Sequence, residues 1–343
     1  MVSAYPAPPG RGASIKGDLA MERTRLLDVT DLSVRYPGDQ KVILRGVDLT
    51  LWSGQITCVI GESGCGKSTL LNSVLQLPGR VAIERGDVTY RGASLKSLSR
   101  EEMRKLRGRG IGVVFQEPGA SLNPIRKIHV QFYEAMCAHG KVTREQAREK
   151  ASAILRNLEF PDPDRILDSC PAQLSGGMNQ RVAIAIAMAL DPDILLADEP
   201  TSALDVTVQA QIVEELIHLR DTYHTCILMI THNMGVVAKM ADMVAVMYGG
   251  RIIEYGPRTE VLYHSAHPYT KALMAAIPKL DGIPPKGIPG KKQDVFPEIG
   301  CGFAPRCACA MPACSDCVLE KHYLNEEHWT LCTEVKNHAD AGA

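Results

Sequence analysis

Gly61-Glu62-Ser63-Gly64-Cys65-Gly66-Lys67-Ser68-Thr69 decides the reading of this 343-residue chain. The stretch follows the apolar run Ile56 to Ile60 and precedes Leu70-Leu71-Asn72-Ser73-Val74-Leu75, so its order is strand, glycine-rich loop, helix. Glycines let the backbone turn tightly, so that successive N–H groups face inward. The start of the helix adds the positive end of its dipole, and the result is a cradle for phosphate anions. In such a cradle Lys67 reaches the β- and γ-phosphates and Ser68 ligates Mg²⁺. The pattern G-x-x-x-x-G-K-[ST] arises by accident in roughly one chain in a hundred of this length. Its seat between a strand and a helix makes accident rarer still.

Length and composition bound what surrounds the loop. The chain is long enough for one large or two medium domains, and 45% hydrophobic content supplies a substantial core. A net charge of −1 offers no general attraction for a polyanion, so no nucleic-acid partner is expected. The longest uninterrupted apolar run, Val182 to Leu190, is far short of the ~20 residues that span a bilayer. Residues 1–25 read as a loose N-terminal tail without the apolar segment of a signal peptide. The chain is therefore expected in the cytoplasm, where its 11 cysteines stay reduced. Six of them lie between Cys301 and Cys332.

Upstream of the loop, Leu27 to Val34 and Lys41 to Leu51 alternate as strands around the turn Pro37-Gly38-Asp39, and Val88 to Tyr90 continues the same antiparallel layer. Tyr36 is the nearest upstream aromatic that would stack on a purine; the plainer alternative is a tyrosine packed at a strand end. Arg100 to Arg107 reads as a charged helix, and Ile111 to Phe115 as a buried strand ending at Gln116. Helical periodicity at Val130 to Met136 and Thr143 to Leu158 places a mostly helical insert at about 117–172, with Pro161 and Pro163 marking a loop.

Gln173-Leu174-Ser175-Gly176-Gly177-Met178 then opens a long helix, another helix start with free N–H groups. Asp193 to Pro200 is a buried strand whose end carries two carboxylates. Asp198 suits Mg²⁺, and Glu199 suits a base that polarises the water attacking a γ-phosphate. A solvated strand end is the commoner fate of such a pair, but a phosphate loop in the same chain favours chemistry. After the loop Ser202 to Asp205 and a helix from Val206 to Arg220, the strand Cys226 to Ile230 ends at Thr231-His232-Asn233.

Together these motifs resemble the nucleotide-binding subunit of an ABC transporter, over about Leu26 to Gly256 and in the family's order. The resemblance implies an α/β fold: a P-loop NTPase (RecA-like) core, an antiparallel β-subdomain and an α-helical subdomain at about 117–172, within a cassette at 26–260. It makes Tyr36 the adenine-stacking aromatic and Gly61, Glu62, Ser63, Gly64, Cys65, Gly66, Lys67, Ser68 and Thr69 the Walker A loop. Gln116 becomes the Q-loop glutamine that senses Mg²⁺ and a membrane partner. Ser175, Gly176 and Gly177 belong to the signature, Asp198 and Glu199 close Walker B, and His232 is the switch histidine. Met178 departs from the family's commonest signature, which has Gln there, and a Met resembles one of the two ATPase subunits of peptide importers.

The same resemblance implies ATP as substrate, Mg²⁺ as cofactor and head-to-tail pairing, in which one subunit's signature completes its partner's site. It also implies two membrane permeases, an extracytoplasmic binding protein acting indirectly, and a seat on the cytoplasmic face of the membrane. The second ATPase would be a related chain, giving a heterodimer. Import of di- or oligopeptides is the leading expectation. Nickel or metal-chelate import by the same machinery, and a soluble ABC ATPase without permeases, stay open as alternatives.

Residues 261–343 form a C-terminal extension. Pro257 to Leu262 and His267 to Leu273 resemble the oligopeptide/dipeptide branch, and a Pro/Gly-rich linker at Asp281 to Gly290 leads to the cysteines. Cys301, Cys307, Cys314 and Cys332 match the spacing that in relatives of this branch is associated with a [4Fe-4S] cluster. A zinc site from Cys307, Cys309, Cys314 and Cys317 is the alternative, since Cys314-Ser315-Asp316-Cys317 has zinc-ligand spacing; free thiols are the third reading.

Overall fold

Apolar residues at alternate positions build the first sheet. In β1 (Arg25–Arg35) and β2 (Val42–Trp52) the buried side chains include Leu27, Val29, Leu32, Val34, Leu44, Val47, Leu49 and Leu51, and the polar ones point away. The computed structural model describes residues 23–117, 121–278, 287–291, 293 and 295–332. With β4 (Ala82–Tyr90) and β5 (Ala93–Ser94) the order is β2-β1-β4-β5, antiparallel throughout, as the sequence led us to expect.

The second sheet reads differently because it is covered on both faces. Every residue of β3 (Ile56–Ile60) and β8 (Cys226–Ile230) is buried, the continuous apolar pattern of parallel strands. Parallel pairing runs β9-β3-β8-β7-β6, where β6 is Ile111–Val114, β7 is Ile194–Asp198 and β9 is Met243–Tyr248. The antiparallel strand β10 (Arg251–Pro257) follows β9, and the short β12 (Trp329–Thr330) and β11 (His322–Tyr323) complete the order β11-β12-β10-β9-β3-β8-β7-β6. Side chains of β3 alternate between two cores: Ile56, Cys58 and Ile60 pack on the helical side, and Val59 packs with the first sheet and α1 (Lys67–Leu75).

After α2 (Arg100–Arg109) and β6 the chain turns helical: α3 (Ile128–Cys137), α4 (Arg144–Asn157), α5 (Pro163–Asp168) and α6 (Gly176–Ala187). Thr143 and Gln146 form a capping box on α4, and Phe132, Leu155, Leu158 and Leu167 fill the space between these helices. Pro163 does not simply extend a loop. It is at the start of α5, where its missing N–H costs nothing, and Asp162 accepts the Arg165 N–H at 3.0 Å. Arg181 of α6 pairs with Glu215 of α7 (Val206–Tyr223) at 2.5 Å and lies 4.0 Å over the Phe160 ring, tying α6 to α7 and to the loop after α4.

Beyond α8 (Met234–Met240), the strands β9 and β10 had no separate signal in the sequence reading. α9 (Arg258–Tyr263) and α10 (Pro268–Ala275) follow. Glu254, fully buried on β10, accepts the N–H groups of Ala266 (2.7 Å) and His267 (3.0 Å) and meets His328 Nε2 at 2.9 Å. One carboxylate thus joins the sheet, the start of α10 and the segment leading into β12. Most of the tail at 1–25, part of the linker at 281–290 and residues 333–343 lie outside the described residues. No helix among the described residues is long and apolar enough to cross a membrane.

Candidate active site

Strand β3 delivers the chain into the glycine-rich loop at its carboxyl end, where open α/β sheets keep their ligands. A Cβ on Gly61 would sit 2.2 Å from the Met247 carbonyl oxygen, so only glycine lets the chain leave the sheet here. Lys67, the first residue of α1 and 7% exposed, turns its ammonium back over the loop and donates to the carbonyls of Gly61 (2.9 Å) and Glu62 (3.1 Å). Phosphate oxygens are stronger acceptors for that ammonium than neutral carbonyls. At the far end of the loop Thr69 Oγ1 meets Tyr36 Oη at 2.8 Å, which brings the half-exposed Tyr36 ring to the rim of the site.

The carboxylates stand opposite. Burial holds the Asp198 carboxyl above its usual range, opposed by a hydrogen bond with Ser68 and aided by the neighbouring charge of Glu199. Glu199 takes the left-handed backbone, φ +45°, which a non-glycine residue adopts only at a cost, and its N–H donates to the Ile230 carbonyl at 2.9 Å. This turn aims the carboxylate at two partners: His232 Nδ1 lies 3.1 Å from Oε1, and Gln116 Nε2 lies 3.5 Å from Oε2. Side chains from the ends of β6, β7 and β8 therefore converge on one carboxylate. Asn233 fixes the histidine's loop by accepting the N–H groups of Gly235 (2.9 Å) and Val236 (3.3 Å) at the start of α8.

Ser175, Gly176 and Gly177 lie apart from this cluster. Ser175 caps α6, its Oγ accepting the Met178 N–H at 3.2 Å. Gly177 lies so close to α7 that a Cβ would meet Val208 Cγ1 at 2.5 Å, and Gly176 faces Leu204. The sequence reading missed two residues that grip the loop from the C-terminal side. Tyr269 Oη accepts the Glu62 N–H at 2.9 Å, and Arg306 meets the Glu62 carboxylate at 2.8 and 3.1 Å. No periodicity or motif links positions so far apart in the chain.

The donor set fits Mg²⁺: Ser68, Asp198 and Gln116 are hard oxygen donors beside the phosphate cradle. The cysteines fit less well. Cys301, Cys307, Cys309, Cys314, Cys317 and Cys332 line one cavity of about 20 Å³, room for about one water. Two sulfurs accept backbone N–H groups, Cys307 from Cys309 (3.4 Å) and Cys314 from Met311 (3.5 Å), and burial pushes the Cys301 thiol up to about 11. Among the described residues no three His, Cys, Asp or Glu side chains gather as ligands for a metal ion. This geometry therefore supports neither the [4Fe-4S] expectation at Cys301, Cys307, Cys314 and Cys332 nor the zinc alternative.

With the geometry in place, comparison with known proteins decides the family. The family model for "ABC transporter" matches residues 44–202, and that for "Oligopeptide/dipeptide transporter, C-terminal region" matches residues 253–314. A "probable peptide ABC transporter ATP-binding protein" of Sinorhizobium fredii is 41% identical over 318 residues, covering 90% of this chain and 94% of the relative. The chain belongs to the ATP-binding subunits of ABC transporters. A "dipeptide transport ATP-binding protein" of Bacillus subtilis is similar to this ABC subunit at 39% identity, with 90% and 94% of the two chains covered. Among solved structures, a dimeric ATP-binding cassette in a post-hydrolysis state with ADP and Pi has a TM-score of 0.60 at 28% identity, covering 68% of this chain and 99% of its own. A Clostridium perfringens ABC subunit, cbiO1, reaches 0.62 at 27% identity, with 70% and 92% covered. This ABC subunit is an ATPase.

Proposed function

We propose that the chain is the ATP-hydrolysing subunit that powers import of di- or oligopeptides through a membrane ABC transporter. The observation that carries the hydrolytic part of this reading is the meeting of Glu199 with His232 and Gln116 beside the Lys67 loop. Tyr36 stacks on the adenine, the backbone of residues 61–69 holds the phosphates, and Lys67 leaves its loop carbonyls for the β- and γ-oxygens. Ser68, Gln116 and Asp198 would hold Mg²⁺, which would offset the phosphates' charge. Glu199 takes a proton from the attacking water, and His232 orients that carboxylate.

Ser175, Gly176 and Gly177 serve the γ-phosphate of a second ATPase: Ser175 and Gly176 lie exposed at the start of α6, and Gly177 packs on α7. ATP is then held between two subunits, and hydrolysis releases them. A heterodimer with a related ATPase, two permeases contacting the groove near Gln116, and a substrate-binding protein outside the membrane complete the machine; the chain sits peripherally on the cytoplasmic face. The C-terminal match and the peptide-transport relatives favour peptides over nickel chelates and over a permease-free ATPase. In domain terms, residues 26–260 form the cassette, with a helical subdomain at about 117–172, and 261–343 the extension. No step is routed through a metal cluster; iron and sulfide analysis of anaerobically prepared protein tests whether the cysteines rearrange to hold one.

Glu199→Gln tests the central claim. ATP should still bind, while hydrolysis falls by about a hundredfold or more because a positioned base is lost. Turnover near that of the parent would remove Glu199 from the chemistry.

A further inference from the structure

We propose that Arg306 is a positioning residue for ATP: it neutralises and clamps Glu62, the second residue of the phosphate-binding loop. The inference rests on the reading of residues 61–69 as the nucleotide's phosphate site. A carboxylate at Glu62 repels the charge that an anion-binding loop exists to hold unless something offsets it. Arg306 answers that repulsion from another part of the chain. Its guanidinium meets the carboxylate with two nitrogens, Nη1 to Oε2 at 2.8 Å and Nη2 to Oε1 at 3.1 Å. This paired geometry is the strong form of the arginine–carboxylate contact.

The arginine is itself rigidly held. Its side chain is 4% exposed, Nε donates to the Pro289 carbonyl at 2.7 Å, and Nη1 lies 3.4 Å from Tyr248 Oη. The guanidinium lies 5.8 Å from the Phe303 ring centroid and 5.9 Å from that of Tyr248. Glu62 is gripped at its backbone too, since its N–H donates to Tyr269 Oη and its carbonyl accepts from Lys67 Nζ. Tyr248, Tyr269 and Phe303 form one aromatic cluster with centroids 4.5 to 5.3 Å apart. The segment beyond β10 therefore reaches the nucleotide loop through a packed aromatic wedge that ends in one cation. Arg306 touches no nucleotide in this scheme; it sets the charge and orientation of a residue that lines the site.

The test uses the full-length chain, with the dissociation constant for a non-hydrolysable Mg-ATP analogue, and kcat and KM in the assembled transporter. Arg306→Met should weaken nucleotide binding and raise KM by about tenfold while kcat at saturation stays within about twofold. Arg306→Lys, which keeps the charge and loses the fork, should fall between the two. Glu62→Gln serves as the reference whatever its own affinity: adding it to Arg306→Met should bring binding to within about threefold of Glu62→Gln. That rescue is the decisive result, because a variant that merely unsettles the extension would not be repaired from the loop. The proposal falls if the double variant binds as weakly as Arg306→Met, or if Arg306→Met binds like the parent. Failure of the parent chain itself to bind the analogue would instead overturn the ATPase reading.

Discussion

Lys67 donates to two carbonyls of its own loop, so the loop is closed around a cation whose stronger partner is phosphate. Lys67→Ala should weaken nucleotide binding by at least about tenfold in a direct titration, and unchanged affinity would contradict the cradle. His232 sits 3.1 Å from the Glu199 carboxylate, and replacing it with Ala should slow hydrolysis with little effect on binding. Single-turnover rates would separate the two effects. The places of Lys67 at the head of a helix and of Glu199 and His232 at strand ends were legible in the sequence, although only the resemblance to ABC subunits singled out His232. The left-handed backbone of Glu199 and the Arg306–Glu62 pair were not. A contact between residues 62 and 306 leaves no local pattern, and a residue's φ is imposed by the strand it is anchored to.

Elements were legible where burial is one-sided or where a motif adjoins a buried run. The amphipathic stretches around Phe132 and Leu155 gave α3 and α4 to within a few residues, and the alternation in β1 and β2 gave the antiparallel sheet. The fully buried β3 and β8 were legible because a motif follows each, whereas β9 is an apolar run with no motif beside it and β10 is interrupted by Arg251, Glu254 and Gly256. Phe132 is fully buried among the helices, and Phe132→Ala should cost about 3–5 kcal/mol in chemical denaturation. A second element-scale prediction concerns α10, whose cap is His267. The imidazole is buried, accepts the Tyr269 N–H at 3.0 Å, and burial lowers its pKa from 6.5 to about 4. An unfolded chain binds the proton first as the solution is acidified. The contribution of His267 is therefore complete above pH 6.5 and is lost as pH falls towards 4, by about 3 kcal/mol at most. Thermal unfolding at neutral pH and near pH 4.5 should show a smaller acid loss for His267→Gln than for the parent; equal losses would refute the assignment.

At the scale of the whole molecule, the proposed composite site takes its groups from two chains. Lys67, Asp198, Glu199 and His232 share one end of the parallel sheet, while Ser175 and Gly176 lie exposed at the start of α6. A chain that binds ATP but cannot hydrolyse it should therefore accumulate as a two-subunit species. With Glu199→Gln, ATP should shift elution in size-exclusion chromatography to twice the mass when the partner ATPase is supplied, and ADP should not. Persistence of the single-subunit peak with ATP would argue against the shared site. The order of β strands carries one more consequence. Because β12 hydrogen-bonds to β10, and the buried Glu254 takes His328 as partner, the C-terminal segment is woven into the catalytic sheet. Cutting the gene after the strand that ends at Pro257 would not liberate a minimal ATPase. It would bare a sticky sheet margin with an orphaned acid in its middle, a fragment destined for inclusion bodies.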